Sequence, residues 1–235
     1  GLGDLFYIGN PNVAGAYFAG VCVLGLCILD TSLKSINIAA VLLVAACFVC
    51  VMLTWSRGAI VALLLATMCR VLFLPRAYKW GLGVLFVVLS FIIVQIPVVE
   101  KIIYRSGFSW RPEIWSVYWD AIMQKVVFGY GAGADSSLMV ERIFNGKLQK
   151  NVMNHPHNGF LLVFYYSGFL GLLSYLSIYC MSIYSVLTSR LSKHWKVSLL
   201  SLIVFVVMIQ MTDTGSIVGK PDEYWLGIWL PLGLI

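Results

Sequence analysis

Long, nearly unbroken apolar runs decide what this chain can fold into. Seven such stretches stand at about 12–29, 36–54, 58–74, 80–99, 159–187, 197–211 and 225–235. Most approach the roughly 18–20 residues that carry a helix across a bilayer. Backbone amides in lipid must be satisfied within the segment, so each run reads as a helix. A transmembrane barrel would show short alternating segments instead. With 60% hydrophobic and 11% charged residues, the 235-residue chain has too little polar surface for a soluble exterior. The expected fold is therefore all-α: a polytopic transmembrane helical bundle whose last span is incomplete. The chain opens at Gly1 with neither methionine nor a charged leader, so no signal peptide is expected. It stops at Ile235 within an apolar stretch, which predicts a piece of a longer membrane protein.

The runs divide the chain into residues 1–99 with four spans, a loop at 100–158, and the C-terminal spans at 159–235. Loop charge sets the expected orientation. One side collects Lys34, Arg70, Arg76, Lys79, Arg190, Lys193 and Lys196 against Asp30. Short loops rich in Lys and Arg stay cytoplasmic, which turns Arg57, Lys220 and the long loop outward. The net charge of +6 is then mostly an orientation signal, and no nucleic-acid partner is expected. The fifth run is longer than one crossing needs, which points to a tilted helix or one reaching beyond the lipid.

Within the long loop, Trp110, Ile114, Trp115, Tyr118, Trp119 and Ile122 predict an amphipathic helix over about 112–127 with Pro112 in its first turn. Its aromatic face is expected in the membrane interface or against the spans. Gly129-Tyr130-Gly131-Ala132-Gly133 reads as a flexible turn. It lacks the spacing and the preceding strand of a dinucleotide site. All six cysteines fall in apolar runs, so Cys47 and Cys50 read as buried thiols despite their paired spacing.

A few polar residues sit where they cost something. Arg57 occupies a tight connection between two spans (Ser56-Arg57-Gly58) and is expected to border a cavity in the bundle. Arg111 lies on the same side; its bland explanation is stacking on a tryptophan or pairing with Glu113. Two guanidinium forks on one face suit a diphosphate. His155 and His157 close the polar loop at the lip of the fifth span. A metal site normally needs three or more ligands, and only Asp135 or Glu141 is placed to fold back, so a general base is the preferred role for one histidine. Asn10-Pro11-Asn12 opens the first span as a turn or cap. Tyr104 and Arg105 are candidates for the entrance, while Asp213, Asp222 and Glu223 read as solvated.

Taken in order, these pieces resemble a known family. They are Asn-Pro-Asn before a span, Ser-Arg-Gly at the outer end of another, Arg-x-x-x-Trp in the long loop, Phe-Gly-Tyr-Gly-x-Gly, and His-Asn just before a span. The combination is similar to the O-antigen ligase and polymerase superfamily of bacterial membrane glycosyltransferases, over roughly residues 10–187. The resemblance implies a GT-C-type enzyme of the bacterial inner membrane with its long loop and active site on the periplasmic side. It implies an undecaprenyl-diphosphate-linked glycan as donor and lipid A–core or another glycan as acceptor. Membrane lipids surround it, and neither metal nor cofactor takes part. It maps the family's arginines onto Arg57 and Arg111 and its histidine onto His157. The other motif residues, Asn12, Ser56, Tyr130, His155 and Asn158, become substrate-binding candidates. Chain extension by a polymerase and protein glycosylation remain open within the superfamily. A transporter of lipid-linked oligosaccharide is the reading of another class; it expects internal repeats and ionisable or broken positions near mid-span, and the complete spans offer little of either apart from Arg70 near an inner end.

Overall fold

A computed structural model describes residues 10–28, 34–71, 110–144, 146–212, 228–229 and 232–233. The span expected at 80–99 and most of that at 225–235 lie outside these residues, as do Tyr104, Arg105, Asp213, Asp222 and Glu223. The described elements are α1 (Pro11–Ile28), α2 (Lys34–Thr54), α3 (Arg57–Val71), α4 (Arg111–Gln124), β1 (Leu138–Phe144), β2 (Lys147–Met153), α5 (Gly159–Thr188) and α6 (Lys193–Thr212). The chain folds as a polytopic transmembrane helical bundle. Among the described residues three helices, α1, α5 and α6, are long and apolar enough to cross a membrane, and Ile38–Thr54 of α2 adds a shorter apolar run.

The helix ends follow from local chemistry. Asn10 caps α1 by accepting the amide of Asn12 on Oδ1 at 2.9 Å, ahead of Pro11 in the first turn. Thr54 turns its hydroxyl back to the Val51 carbonyl (2.7 Å) as α2 ends. Ser56 then accepts the Ala59 amide on Oγ at 3.4 Å and starts α3. This compact corner meets α1 at Gly15, where an added Cβ would lie 2.7 Å from Ser56 Cβ. Small residues at such crossings let helix backbones approach in lipid.

One apolar cluster joins α1, α2, α3, α5 and α6 through residues such as Ala19, Val51, Ala62, Tyr175, Phe205 and Val206. Between α5 and α6, Tyr175 donates to Gln210 Oε1 at 2.5 Å, and Gln210 in turn bonds Tyr179. The fully buried amide of Gln210 is thereby satisfied where no water competes. Arg70 counts as a loop charge in the sequence but is buried between α3 and α6. Its Nη1 donates to Ser198 Oγ at 2.5 Å, and Nη2 lies 3.4 Å from His194 Nδ1.

The second cluster packs α4 and the hairpin onto α5. Ile114, Tyr118 and Ile122, four residues apart on α4, pack against Val140 of β1 and Phe164 and Tyr165 of α5. The helix expected over 112–127 runs Arg111–Gln124 and so stops earlier, at the Lys125 cap. Its packed face lies against α5 while Trp119 and Met123 stay exposed. Apart from the helices, the loop holds an antiparallel hairpin, β1 with β2, that the apolar pattern does not announce. Buried Tyr118 ties its base by donating to the Ser136 carbonyl at 2.5 Å. Burial raises the pKa of that phenol, which keeps it a donor.

The long fifth run is two helical pieces merged across a break at Gly168 (φ 64°, ψ −165°). The break frees backbone groups, and the segment after α4 takes them. Tyr130 and Gly131 donate their amides to the carbonyls of Tyr165 (2.9 Å) and Tyr166 (2.8 Å), while the Phe169 amide donates to Val126 (2.7 Å). Gly129 (φ 69°) and Gly168 face each other so closely that a Cβ on Gly168 would meet the Val127 oxygen at 2.2 Å. The glycine-rich turn expected to be flexible is therefore pinned, because the interrupted helix supplies its hydrogen-bond partners.

Candidate functional site

The corner that starts α3, the start of α1, the start of α4 and the turn before α5 meet around one cavity of about 360 Å³. Asn12, Arg57, Gly58, Arg111 and His157 line it, with walls from Trp55, Trp110, Ile114 and Met153. Asn12 is in the first turn of α1, Arg57 and Gly58 open α3, and Arg111 opens α4. His157 stands just before Asn158, the cap of α5. Residues at or next to four helix N-termini thus line the cavity, where the positive dipole ends add to two guanidinium side chains. Anions bind readily at such termini.

The backbone is strained here. Among the described residues, the non-glycine residues with positive φ are Trp55 (56°) and His157 (51°). Both line the cavity. Conformations of this kind cost on the order of 1–3 kcal/mol each and persist where the surroundings hold them. Around His157 the restraints are visible. Trp115 Nε1 on α4 donates to the Pro156 carbonyl at 3.0 Å. Asn158 Oδ1 accepts the amides of Phe160 (3.0 Å) and Leu161 (3.1 Å), fixing the start of α5. The His157 amide donates to His155 Nδ1 at 3.3 Å, and the two rings lie 4.0 Å apart. That bond places the proton of a neutral His155 on Nε2.

The sequence-derived candidates therefore separate into two groups. Arg57, Arg111, His157 and Asn12 are brought together. Ser56, His155, Asn158 and Tyr130 are not in the cavity lining and serve the fold around it. Ser56 and Asn158 cap α3 and α5. His155 supports the His157 turn. Tyr130 donates to the Ala121 carbonyl at 2.9 Å, stacks on Tyr165 (centroids 4.5 Å apart) and receives Lys125 over its ring.

The bland role considered for Arg111 is filled by a residue that sequence reasoning passed over. Arg142 on β1 bonds Glu113 Oε1 through Nε at 3.2 Å and lies 5.9 Å from the centre of the Trp110 ring. Its sequence signal was absent, because the hairpin that returns it to α4 was not foreseen. Asp135 and Glu141 do not fold back onto the histidines. Asp135 accepts the Ser137 amide at 2.8 Å, a bond that lowers its pKa, and Glu141 pairs with Lys150 at 2.5 Å. Among the described residues, no three His, Cys, Asp or Glu side chains are grouped to hold a metal ion.

Fold and cavity together define a polytopic helical membrane protein with a cationic, histidine-bearing cavity at one end of its bundle. The sequence profile of a family described as O-antigen ligase matches residues 38–176, a span that contains Arg57, Arg111 and His157. The chain belongs to that family. It is similar to an O-antigen ligase of Pseudomonas aeruginosa, 28% identical over 188 residues that make up 77% of this chain and 43% of the relative. The chain thus spans less than half the length of that curated relative. No solved structure matches it.

Proposed function

We propose that this chain carries the transfer site of an O-antigen ligase-type glycosyltransferase. Its donor is a glycan on undecaprenyl diphosphate, and its acceptor is a sugar hydroxyl of lipid A–core. The site faces the periplasm from a bacterial inner membrane. The observation that supports this best is the meeting of Arg57, Arg111 and His157 in one cavity ringed by helix N-termini. The similarity to an O-antigen ligase of Pseudomonas aeruginosa supports a ligase over a polymerase.

In this reading the acceptor hydroxyl attacks the anomeric carbon of the donor while His157 takes its proton. The bond from that carbon to the diphosphate oxygen breaks, and undecaprenyl diphosphate leaves with the bonding pair. Arg57, Arg111 and the surrounding helix termini stabilise the charge that builds on the leaving group. A single in-line displacement inverts the anomeric configuration. The proton and the charge are both handled by side chains, so the step as written calls on no metal. Asn12 lies against the substrate, while Ser56, His155, Asn158 and Tyr130 contribute by holding the lining in place.

The test is complementation of a disruption strain with the full-length protein. Arg57→Ala or Arg111→Ala is expected to lower glycan attachment on the order of a hundredfold, with protein level unchanged and lipid-linked donor accumulating. Undiminished attachment in both variants overturns the reading. In the disruption strain itself, accumulation of polymerised donor with no long glycan on lipid A–core supports the ligase. Single-repeat glycan still joined to the core assigns a polymerase instead.

A further inference from the structure

Trp55 is an unusual residue for the corner it occupies. Its φ of 56° lies in the left-handed region that glycine and asparagine adopt readily and a bulky aromatic residue rarely does. Core packing does not account for the strain. The side chain is 44% exposed and belongs to neither apolar cluster among the described residues. Instead it lines the cationic cavity two residues before Arg57, with Trp110 also in the wall. The corner thus tolerates an unfavourable backbone while placing Trp55 in the cavity wall.

We propose that Trp55 is the platform for the pyranose ring bonded directly to the donor diphosphate. This rests on the reading of Arg57 and Arg111 as the diphosphate site. A pyranose presents an apolar face of C–H groups, whose positive edge matches the electron-rich face of an indole. Its hydroxyls remain free to meet polar groups such as Asn12. The cavity, about 360 Å³, is at the lower end of the range for small-ligand sites. It is sized for a diphosphate head and its first sugar, with the rest of the glycan outside. Arg57 and Trp55 share one short corner, so phosphate and first sugar are read by the same rigid element.

The same backbone angle supplies a clean test, because Trp55→Gly and Trp55→Asn remove the indole while suiting the turn. The full-length protein in detergent is titrated with two probes: a short prenyl diphosphate, and the same molecule carrying one sugar. Trp55→Gly and Trp55→Asn are expected to weaken the glycosylated probe roughly tenfold, with the sugarless probe unchanged. Trp55→Phe is expected to retain most of the sugar-dependent affinity. Equal weakening of both probes, or no change in either, overturns the proposal and leaves Trp55 as an interfacial anchor. Arg57→Ala tests the underlying reading separately: unchanged affinity for the sugarless probe defeats the diphosphate site. The platform is judged on the ratio of the two affinities in Trp55→Gly.

Discussion

The indole N–H of Trp115 donates to the carbonyl of Pro156 at 3.0 Å. The helix that presents Arg111 therefore also helps to hold the turn that presents His157, beside the His155 and Asn158 bonds within that turn. Trp115→Phe keeps an aromatic ring and removes this bond, whose net worth is about 0.5–1.5 kcal/mol. Glycan transfer should fall roughly tenfold, measured beside a melting curve that moves little. An equal loss of folded protein would make the contact merely structural.

The Gly129–Gly168 contact should be far more sensitive than the glycine next to it. A Cβ at Gly168 meets the Val127 oxygen at 2.2 Å, whereas Gly131, at φ 91°, has open space. Gly131→Ala then costs about 1 kcal/mol of backbone strain. Gly168→Ala adds a backbone collision and should cost about 3 kcal/mol or more. Thermal unfolding in detergent separates the two; equal melting temperatures would mean that the break in α5 relaxes freely.

Arg142 and Glu113 should behave as a coupled pair. The Glu113 Oε2 atom is buried and has no hydrogen-bond partner among the described residues, so losing Arg142 strands a carboxylate whose other oxygen held the ion pair. Arg142→Ala is expected to cost about 1–3 kcal/mol, and adding Glu113→Gln should recover part of it. A double-mutant cycle reads the coupling, and strict additivity contradicts it.

Asn158 distinguishes a cap from a ligand-binding side chain. Its Oδ1 accepts two amides at the start of α5. Asn158→Asp and Asn158→Ser preserve that acceptor and should keep activity within a fewfold, whereas Asn158→Ala should lower stability by about 1 kcal/mol. A large activity loss in Asn158→Asp with stability intact would place the amide on the substrate instead.

The helical bundle was legible because apolar length is a one-dimensional property of the chain. The runs ending near Thr54, Thr188 and Thr212 match the observed helices closely. Residues with costly chemistry in thin connections, such as Arg57, were likewise visible. What stayed hidden depends on tertiary partners. The α5 break at Gly168 needs the 126–131 segment to satisfy it. The hairpin over Leu138–Met153 alternates too weakly to declare itself, and Arg142 went unnoticed with it. The positive φ angles of Trp55 and His157 belong to residue types that give no sequence hint of them.

His157→Gly in the full-length protein tests the central claim most directly. Glycine adopts φ 51° without strain, so the variant should fold at least as well as the parent and lose only the imidazole. If His157 is the base, the single-turnover rate of glycan transfer falls by about a hundredfold or more. A rate within a fewfold of the parent would contradict the account.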